Sequence, residues 1–400
     1  MQFIETQQLG TAAKPVAGRG GDRRFPRVMP AVCAGLALAV SSAEPVRAQG
    51  ADADADGPLP RWNRRLVDRP EDWFASDEGQ RVAANVLRYQ SAEGAWPKNT
   101  NLAATPLRPE DIPSSTSGVA NTIDNEATTV PIRFLARFAQ INEDTASREA
   151  VQRGLDYLLK AQYPNGGWPQ YFPLRRGYHS HITYNDDAMV NVLDLLLDVS
   201  LGEEPFDFVD EDRRQRAATA VERGIECILR TQIRQEDQPT GWCAQYDPET
   251  LAPAWGRAYE PPSISGAETV GVARFLMRLE SPSPEAVEAI EGAIAWLDTV
   301  GIEELRLEWF TNSEGKRDRR VVEDASVGTL WARFYELETN RPLFVDRDGV
   351  LRYDFAELTA ERRQGYSYYG TWPAPLLATE YPRWRRMNES ALLESSFISH

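Results

Sequence analysis

Two short acidic stretches could hold a hard metal ion. Asp124-Asn125 lies in Thr122-Ile-Asp-Asn-Glu-Ala, and Asn185-Asp186-Asp187 lies in Thr183-Tyr-Asn-Asp-Asp-Ala. Each precedes an apolar run of helical period, so each sits at a helix start. If the two starts face one mouth, carboxylate and amide oxygens converge there, a donor set that suits Ca2+. The plainer account is capping, because Asp and Asn are ordinary N-cap residues and acids favour a first helical turn. Matched positions in two repeats, with consecutive Asp at one of them, leave a metal site and capping both open. Two cationic loops accompany the acids. Arg257 stands in Trp255-Gly-Arg257-Ala-Tyr259-Glu260, and Lys98-Asn99 follows Trp96-Pro97. A lone loop Arg usually meets solvent or a carboxylate. The neighbouring acids, the expected cation and the aromatics give this one a chemical setting, and Lys98 could meet an anionic ligand.

These residues are positioned by an internal repeat. Gln90-Ser-Ala-Glu-Gly94-Ala-Trp96 matches Gln162-Tyr-Pro-Asn-Gly166-Gly-Trp168, and a looser copy runs from Gln232 to Gly241-Trp242, with the tryptophans 72 and then 74 residues apart. Trp96 and Trp168 are read as struts of their turns. Each turn follows a stretch with apolar residues at intervals of three and four: Arg81–Tyr89, Arg148–Ala161 and Arg214–Arg230. After each turn a second helix begins. Its apolar run reaches Phe138 in the first copy, and spans Met189–Val199 and Val270–Leu279 in the others. The third start, Ser263-Ile-Ser265-Gly266-Ala-Glu268, again carries an acid. Helical pairs recurring at this period predict a mainly α chain whose hairpins curl into an α/α barrel, with the inner helix starts lining one mouth. Another helix is expected from Ala289–Leu297. Loops or short strands are expected over Arg317–Val322, Phe344–Asp348 and Val350–Tyr353.

The rest of the chain bounds the partners. Arg23, Arg24 and Arg27 precede a short apolar stretch, Val28 to Val40, and Val46-Arg47-Ala48 offers a small-residue cleavage site, so residues 1–48 read as an export signal. That stretch is too short to span a bilayer. Ala51 to Asp56 alternate Ala and Asp, and residues 49–60 read as a solvated linker. The folded body is then 61–385, followed by a tail, 386–400. The leader carries a net +3, which leaves −19 of the formal −16 on the mature body. Nucleic acid and membrane are therefore not expected partners. The three His, His179, His181 and His400, cannot build a three-His zinc site. Past the leader only Cys227 and Cys243 remain, either as one disulfide or as two free thiols.

Taken in order, the motifs resemble polysaccharide lyase family 10. The resemblance is carried by Gly94-Ala-Trp-Pro-Lys98-Asn99, Thr122-Ile-Asp-Asn125 with Ala127-Thr-Thr129, Asn165-Gly-Gly-Trp-Pro-Gln-Tyr-Phe-Pro173 and His181-Ile-Thr-Tyr-Asn-Asp-Asp-Ala-Met-Val-Asn-Val192. It continues through Trp242-Cys-Ala-Gln-Tyr-Asp-Pro248, Arg257-Ala-Tyr-Glu260, Trp331-Ala-Arg-Phe-Tyr-Glu336 and Tyr369-Gly-Thr-Trp-Pro373, covering about residue 80 to residue 380. The resemblance implies an (α/α)3-type barrel and an exported (secreted or periplasmic) monomer. It implies Ca2+-dependent cleavage of polygalacturonate (pectate) by β-elimination. Carried over by residue, Asp124 and Asn125 with Asp187, or Asp186 in its place, form the metal site. Arg257 is the base, and Lys98, Asn99, Tyr184 and Tyr259 line the substrate cleft. Tyr246 stands where the family usually has His, Pro131 replaces a commonly polar residue, and 323–328 lacks expected prolines.

The implied chemistry is demanding. Removing the weakly acidic C5 proton of a uronate needs positive charge at its carboxylate and a base at C5. Arg is ordinarily charged, with a pKa above about 12. It serves as a base only where its charged form is disfavoured by desolvation and a nearby cation, so activity should rise into alkaline pH. Two other readings fit the same residues. One is an α/α-barrel glycoside hydrolase with Asp124 and Asp187 as its carboxylate pair. The other is a non-catalytic or re-specialised pectin-binding member.

Overall fold

The computed structural model describes residues 59–396. The expected leader, nearly all of the expected linker and the last four residues lie outside the described residues. Among the described residues no helix is long and apolar enough to cross a membrane.

The repeat sets the architecture. After a short α1 (Glu71–Ala75) come α2 (Asp77–Arg88), α3 (Thr129–Asn142), α4 (Thr145–Ala161), α5 (Ala188–Leu201), α6 (Glu211–Thr231), α7 (Glu268–Met277) and α8 (Pro284–Thr299). Hairpins form from α3 with α4, α5 with α6 and α7 with α8. The inner row runs α3, α5, α7, and the outer row runs α2, α4, α6, α8, each helix packing on the next of its row. The fold is thus the expected mainly α toroid of helical hairpins with long loops, and its sheets are two-stranded. Burial follows the rows: Met189, Val192, Leu193, Leu195, Leu196 and Val199 of α5 are all buried.

The Gln-Gly-Trp turns tie the rows together, because each repeats the same bonds. Gln90 Nε2 donates to the carbonyls of Gly94 (2.9 Å) and Ala150 (2.8 Å), and Gln162 Nε2 to those of Gly166 (3.0 Å) and Ala220 (2.8 Å). Gln232 Nε2 donates to Thr240 and Ala289, both at 2.8 Å. In each copy one amide closes its own turn and satisfies a carbonyl of the next outer helix. The indoles of Trp96, Trp168 and Trp242 are fully buried and donate to Val86, Leu158 and Ile228, each at 2.8 Å. Gly94 (φ +103°) and Gly166 (φ +93°) adopt backbone that only glycine takes readily, and their turns press on the main chain at Arg153 and Arg223.

Short ladders join the loops at the inner helix starts. Ile182–Thr183 pairs with Gln245–Tyr246, and Ile264–Ser265 with Phe334–Tyr335. The second ladder brings the late segment around Arg333 beside the third inner start. A longer hairpin, Leu305–Thr311 with Arg317–Glu323, lies beyond α8. Arg317–Glu323 forms a strand, one of the two expected alternatives there, and a helix, Tyr381–Ser396, runs through residue 385. Cys227 and Cys243 are both buried free thiols.

Candidate active site

The outer helices are capped by their N-cap side chains, whereas the N-cap residues of the inner ones make no such bond, Ser265 Oγ upstream of α7 alone accepting the Glu268 N–H at 3.2 Å. Ser76, Asp144, Asp210 and Ser283 accept backbone N–H bonds at the starts of α2, α4, α6 and α8. The residues at the starts of α3, α5 and α7 make no side-chain cap bond. Asp124, Asp186 and Asp187 are therefore not committed to capping. The two turns also share an unusual backbone: Asn125 (φ 51°) and Glu126 (φ 57°) in one, Asp186 (φ 52°) and Asp187 (φ 58°) in the other. Left-handed conformation costs a non-glycine residue about 1–2 kcal/mol. Consecutive strained residues at matched positions mark turns shaped for a purpose other than helix entry.

The charged groups form a ring. Lys98 Nζ binds Asp124 Oδ2 at 2.5 Å, and Asp124 is buried. The charge of Asp124 reaches Asp186, whose pKa is raised by burial and then by Glu268, against the opposing pull of Arg333. Arg333 Nη1 lies 3.7 Å from Asp186 Oδ1 and 2.9 Å from Glu268 Oε1. The Arg333 guanidinium stands 5.4 Å from the Tyr366 ring centroid, and Tyr366 Oη donates to Glu260 Oε1 at 2.9 Å. Glu260 in turn holds Arg257, whose Nε donates to Oε1 at 2.9 Å. Tyr178 closes the circuit: burial raises its phenol pKa, and the charges of Arg257, Glu260 and Lys98 all reach it. Asp124, Asp186 and Arg257 thus belong to one mouth, supplied by the first, second and third repeats.

The ring sorts the residues expected from sequence. Asp186 turns to Arg333 across the mouth. Asp187, exposed like Asp186, lies beside α7, its Oδ1 2.0 Å from where a Cβ on Gly271 would sit. Desolvation, then the charges of Glu268 and Asp186, push its carboxyl up to about 7. Asn125 donates to Asn99 Oδ1 at 3.2 Å on the outer side of the turn. Tyr184 does not reach the cleft: it is fully buried, with its hydroxyl 2.9 Å from Thr231 Oγ1. Tyr246, the departure from the family pattern, is equally buried, and its hydroxyl accepts the Cys243 N–H at 2.6 Å. Tyr259 is covered by arginines, with Arg362 at 4.3 Å and Arg257 at 5.0 Å from its ring centroid.

Five members of the ring, Tyr178, Glu260, Glu268, Arg333 and Tyr366, had no role from sequence. Glu268 was visible as the acid of the third helix start. Arg333 and Tyr366 enter only through tertiary pairing. The Arg333 Nε–H is buried without a partner, as is Asn185 Oδ1. Burial works to lower the Arg333 and Arg257 pKa values, but their carboxylate partners outweigh it and both end raised.

The donors suit a hard cation with few protein ligands. Asp124 and Asp186 supply carboxylates, Asn185 Oδ1 is unsatisfied beside them, and the Lys98 ammonium already places a positive charge on Asp124. Among the described residues no group of three or more His, Cys, Asp or Glu could hold a metal. Ca2+ takes six to eight oxygens, so most would come from substrate and water.

Comparison with known proteins identifies the family. Residues 90–377 match the model of the family described as pectic acid lyase. Two solved structures of a family 10 polysaccharide lyase from Cellvibrio cellulosa are similar to this chain, each with TM-score 0.66 and 32% identity. Each covers 80% of this chain, and the chain covers 98% of one and 97% of the other. The first is an Asp-to-Ala mutant in complex with trigalacturonic acid. No curated protein matches the chain.

Proposed function

The chain belongs to the pectic acid lyase family, polysaccharide lyase family 10, and from that premise we propose that the Asp124–Asp186–Arg257 mouth carries out its β-elimination on polygalacturonate. The observation that carries this reading is the unbroken path from Asp186 through Arg333, Tyr366 and Glu260 to Arg257. That path supports an acidic side, which would hold the cation, facing a guanidinium across one opening. A Ca2+ ion held by Asp124 and Asp186 would supply, when bound, the positive charge that steadies a uronate carboxylate as C5 loses its proton.

The chain's own residues do the rest. Arg333, with an unpartnered Nε–H, donates to the substrate carboxylate and orients the ring. Arg257 in its neutral form takes the C5 proton. The C5–H electron pair becomes the C4–C5 double bond, the C4–O bond breaks, and the departing chain takes a proton from solvent. Glu260 keeps most of Arg257 charged in the free mouth, so turnover draws on a small neutral fraction that grows with pH. Lys98 and Asn99 flank the cleft. The protein acts as a monomer outside the cytoplasm, exported on residues 1–48; cell fractionation and sedimentation of the purified protein test both points.

One assay tests the whole. The protein is incubated with polygalacturonate with and without EDTA, and ultraviolet absorbance from unsaturated uronides is followed. The expected result is a rise that EDTA abolishes. Saturated products formed without need of a cation would make it a hydrolase, and binding without product would make it a pectin-binding protein.

A further inference from the structure

Beside the mouth lies a second cavity of about 390 Å³. It shares Lys98 and Asn125 with the site and extends outward to the entering segment Arg61–Arg64. Its volume is within the range of small-ligand pockets, which begin at about 300 Å³. Its chemistry is specific. Asn63, Asn99, Asn101 and Asn125 all line it. Asn63 is spent on its own turn, and Asn99 Oδ1 and Asn101 Oδ1 accept bonds from Asn125 and Trp62, which leaves the Asn99 and Asn101 Nδ2 donors and the Asn125 Oδ1 acceptor to meet sugar hydroxyls. Trp62 gives it an aromatic wall.

The charges in the cavity nearly cancel. Arg64 is paired with Glu126 at 2.5 Å, and Lys98 with Asp124 at 2.5 Å. Arg61 is exposed and has no carboxylate partner among the described residues. The wall therefore carries one uncommitted positive charge in a chain of formal net charge −16. Three of the lining residues, Asn99 (φ 55°), Asn125 (φ 51°) and Glu126 (φ 57°), hold left-handed backbone, so the turns are bent to present their side chains here. The entering segment is fixed in place, because the Trp62 N–H donates to Asn101 Oδ1 at 2.7 Å and the Trp62 ring packs edge-on against Phe134 at 5.3 Å.

We propose that this cavity is a distal subsite for one further uronate of an extended polygalacturonate chain, its carboxylate met by Arg61 and its hydroxyls by the asparagine amides. The proposal rests on reading the adjoining mouth as the pectate-cleaving site. A subsite that lies past the reacting residue rewards chain length, so the enzyme favours polymer over short oligomers.

The test compares tri- and hexagalacturonate. Arg61→Ala is expected to lower kcat/KM for the hexamer about threefold to tenfold and to leave the trimer unchanged. Arg61→Glu should widen that gap, and Arg61→Lys should keep most of the preference for the longer substrate. Equal loss on both substrates, or no loss on the hexamer, overturns the subsite. Calorimetric binding of the two oligomers to wild type and Arg61→Ala reads the same difference if turnover is absent, so failure of the lyase reading is distinguishable from failure of the subsite.

Discussion

The Arg257 guanidinium lies against the Glu260 carboxylate, its Nε donating to Oε1 at 2.9 Å, while the Arg257 backbone N–H donates to Oε2 at 2.9 Å. Both the head group and the main chain of the proposed base are therefore placed by one buried acid. The pairing acts on ionisation as well as on position. Burial alone would lower the Arg257 pKa, and Glu260 reverses the sign. Glu260 itself is lowered, the Arg257 bonds and charge outweighing its own burial.

Glu260→Gln keeps the shape and one acceptor but removes the charge. The Arg257 pKa then falls, so its neutral fraction is larger at any given pH. The alkaline rise of kcat should move to lower pH in the variant, even where the maximal rate drops through poorer orientation. A pH–rate profile with an unmoved midpoint would remove Arg257 ionisation from the rate.

Asp186 and Asp187 are chemically alike and differ in where they point. Asp186→Asn should lower kcat/KM on polygalacturonate by about a hundredfold or more and raise the Ca2+ concentration needed for half-activity. Asp187→Asn, changing a carboxylate packed on Gly271, should change the calcium requirement by less than about threefold. Calcium titration of activity in both variants checks this, and the reverse order would assign the ligand to Asp187.

Arg333 bridges Asp186 and Glu268 and keeps a free Nε–H. Arg333→Lys retains the charge beside Glu268, which is buried, yet loses the planar fork that grips a carboxylate. Its KM for trigalacturonate should rise about tenfold, with a melting temperature near wild type. Arg333→Ala should melt earlier as well, because it strands Glu268 in the interior. Unchanged KM in the Lys variant would limit Arg333 to a structural part.

The turns supply a stability prediction independent of catalysis. A Cβ on Gly166 would lie 1.9 Å from the Arg223 carbonyl oxygen in a backbone at φ +93°, whereas one on Gly315, at φ +74°, would meet nothing within 4 Å. Gly166→Ala combines backbone strain with a main-chain clash and should cost at least about 2 kcal/mol. Gly315→Ala pays strain alone, about 1 kcal/mol. Thermal unfolding should rank them in that order.

Much of this was legible from residues because the repeat enforces itself locally. Gln, Gly and Trp recur since each turn needs a long amide to satisfy two carbonyls, a left-handed glycine and a buried indole, and those needs leave a fixed spacing. The acids of the first two helix starts were visible for the same reason. Tyr184 was misplaced because it neighbours Asn185 just past a short strand, where adjacent side chains face opposite ways and one of them must enter the core. How Asp186 and Asp187 are aimed is set by two left-handed residues in succession, and nothing in the residue types signals that. Arg333 reaches the ring through pairing of Ile264–Ser265 with Phe334–Tyr335, and Tyr366 stands just before Tyr369–Gly370, which pairs with Trp331–Ala332; both are long-range contacts with no periodic trace. The strong hold of Glu260 on Arg257 also runs against the expectation that the site disfavours the charged guanidinium.

The most direct test of the account is turnover of trigalacturonate by Arg257→Ala, with binding measured by calorimetry on the same protein in Ca2+. The account predicts that formation of unsaturated product falls below detection while affinity stays within about threefold of wild type, since the carboxylate-binding groups remain. Substantial product from the variant would contradict it and place the base elsewhere in the mouth.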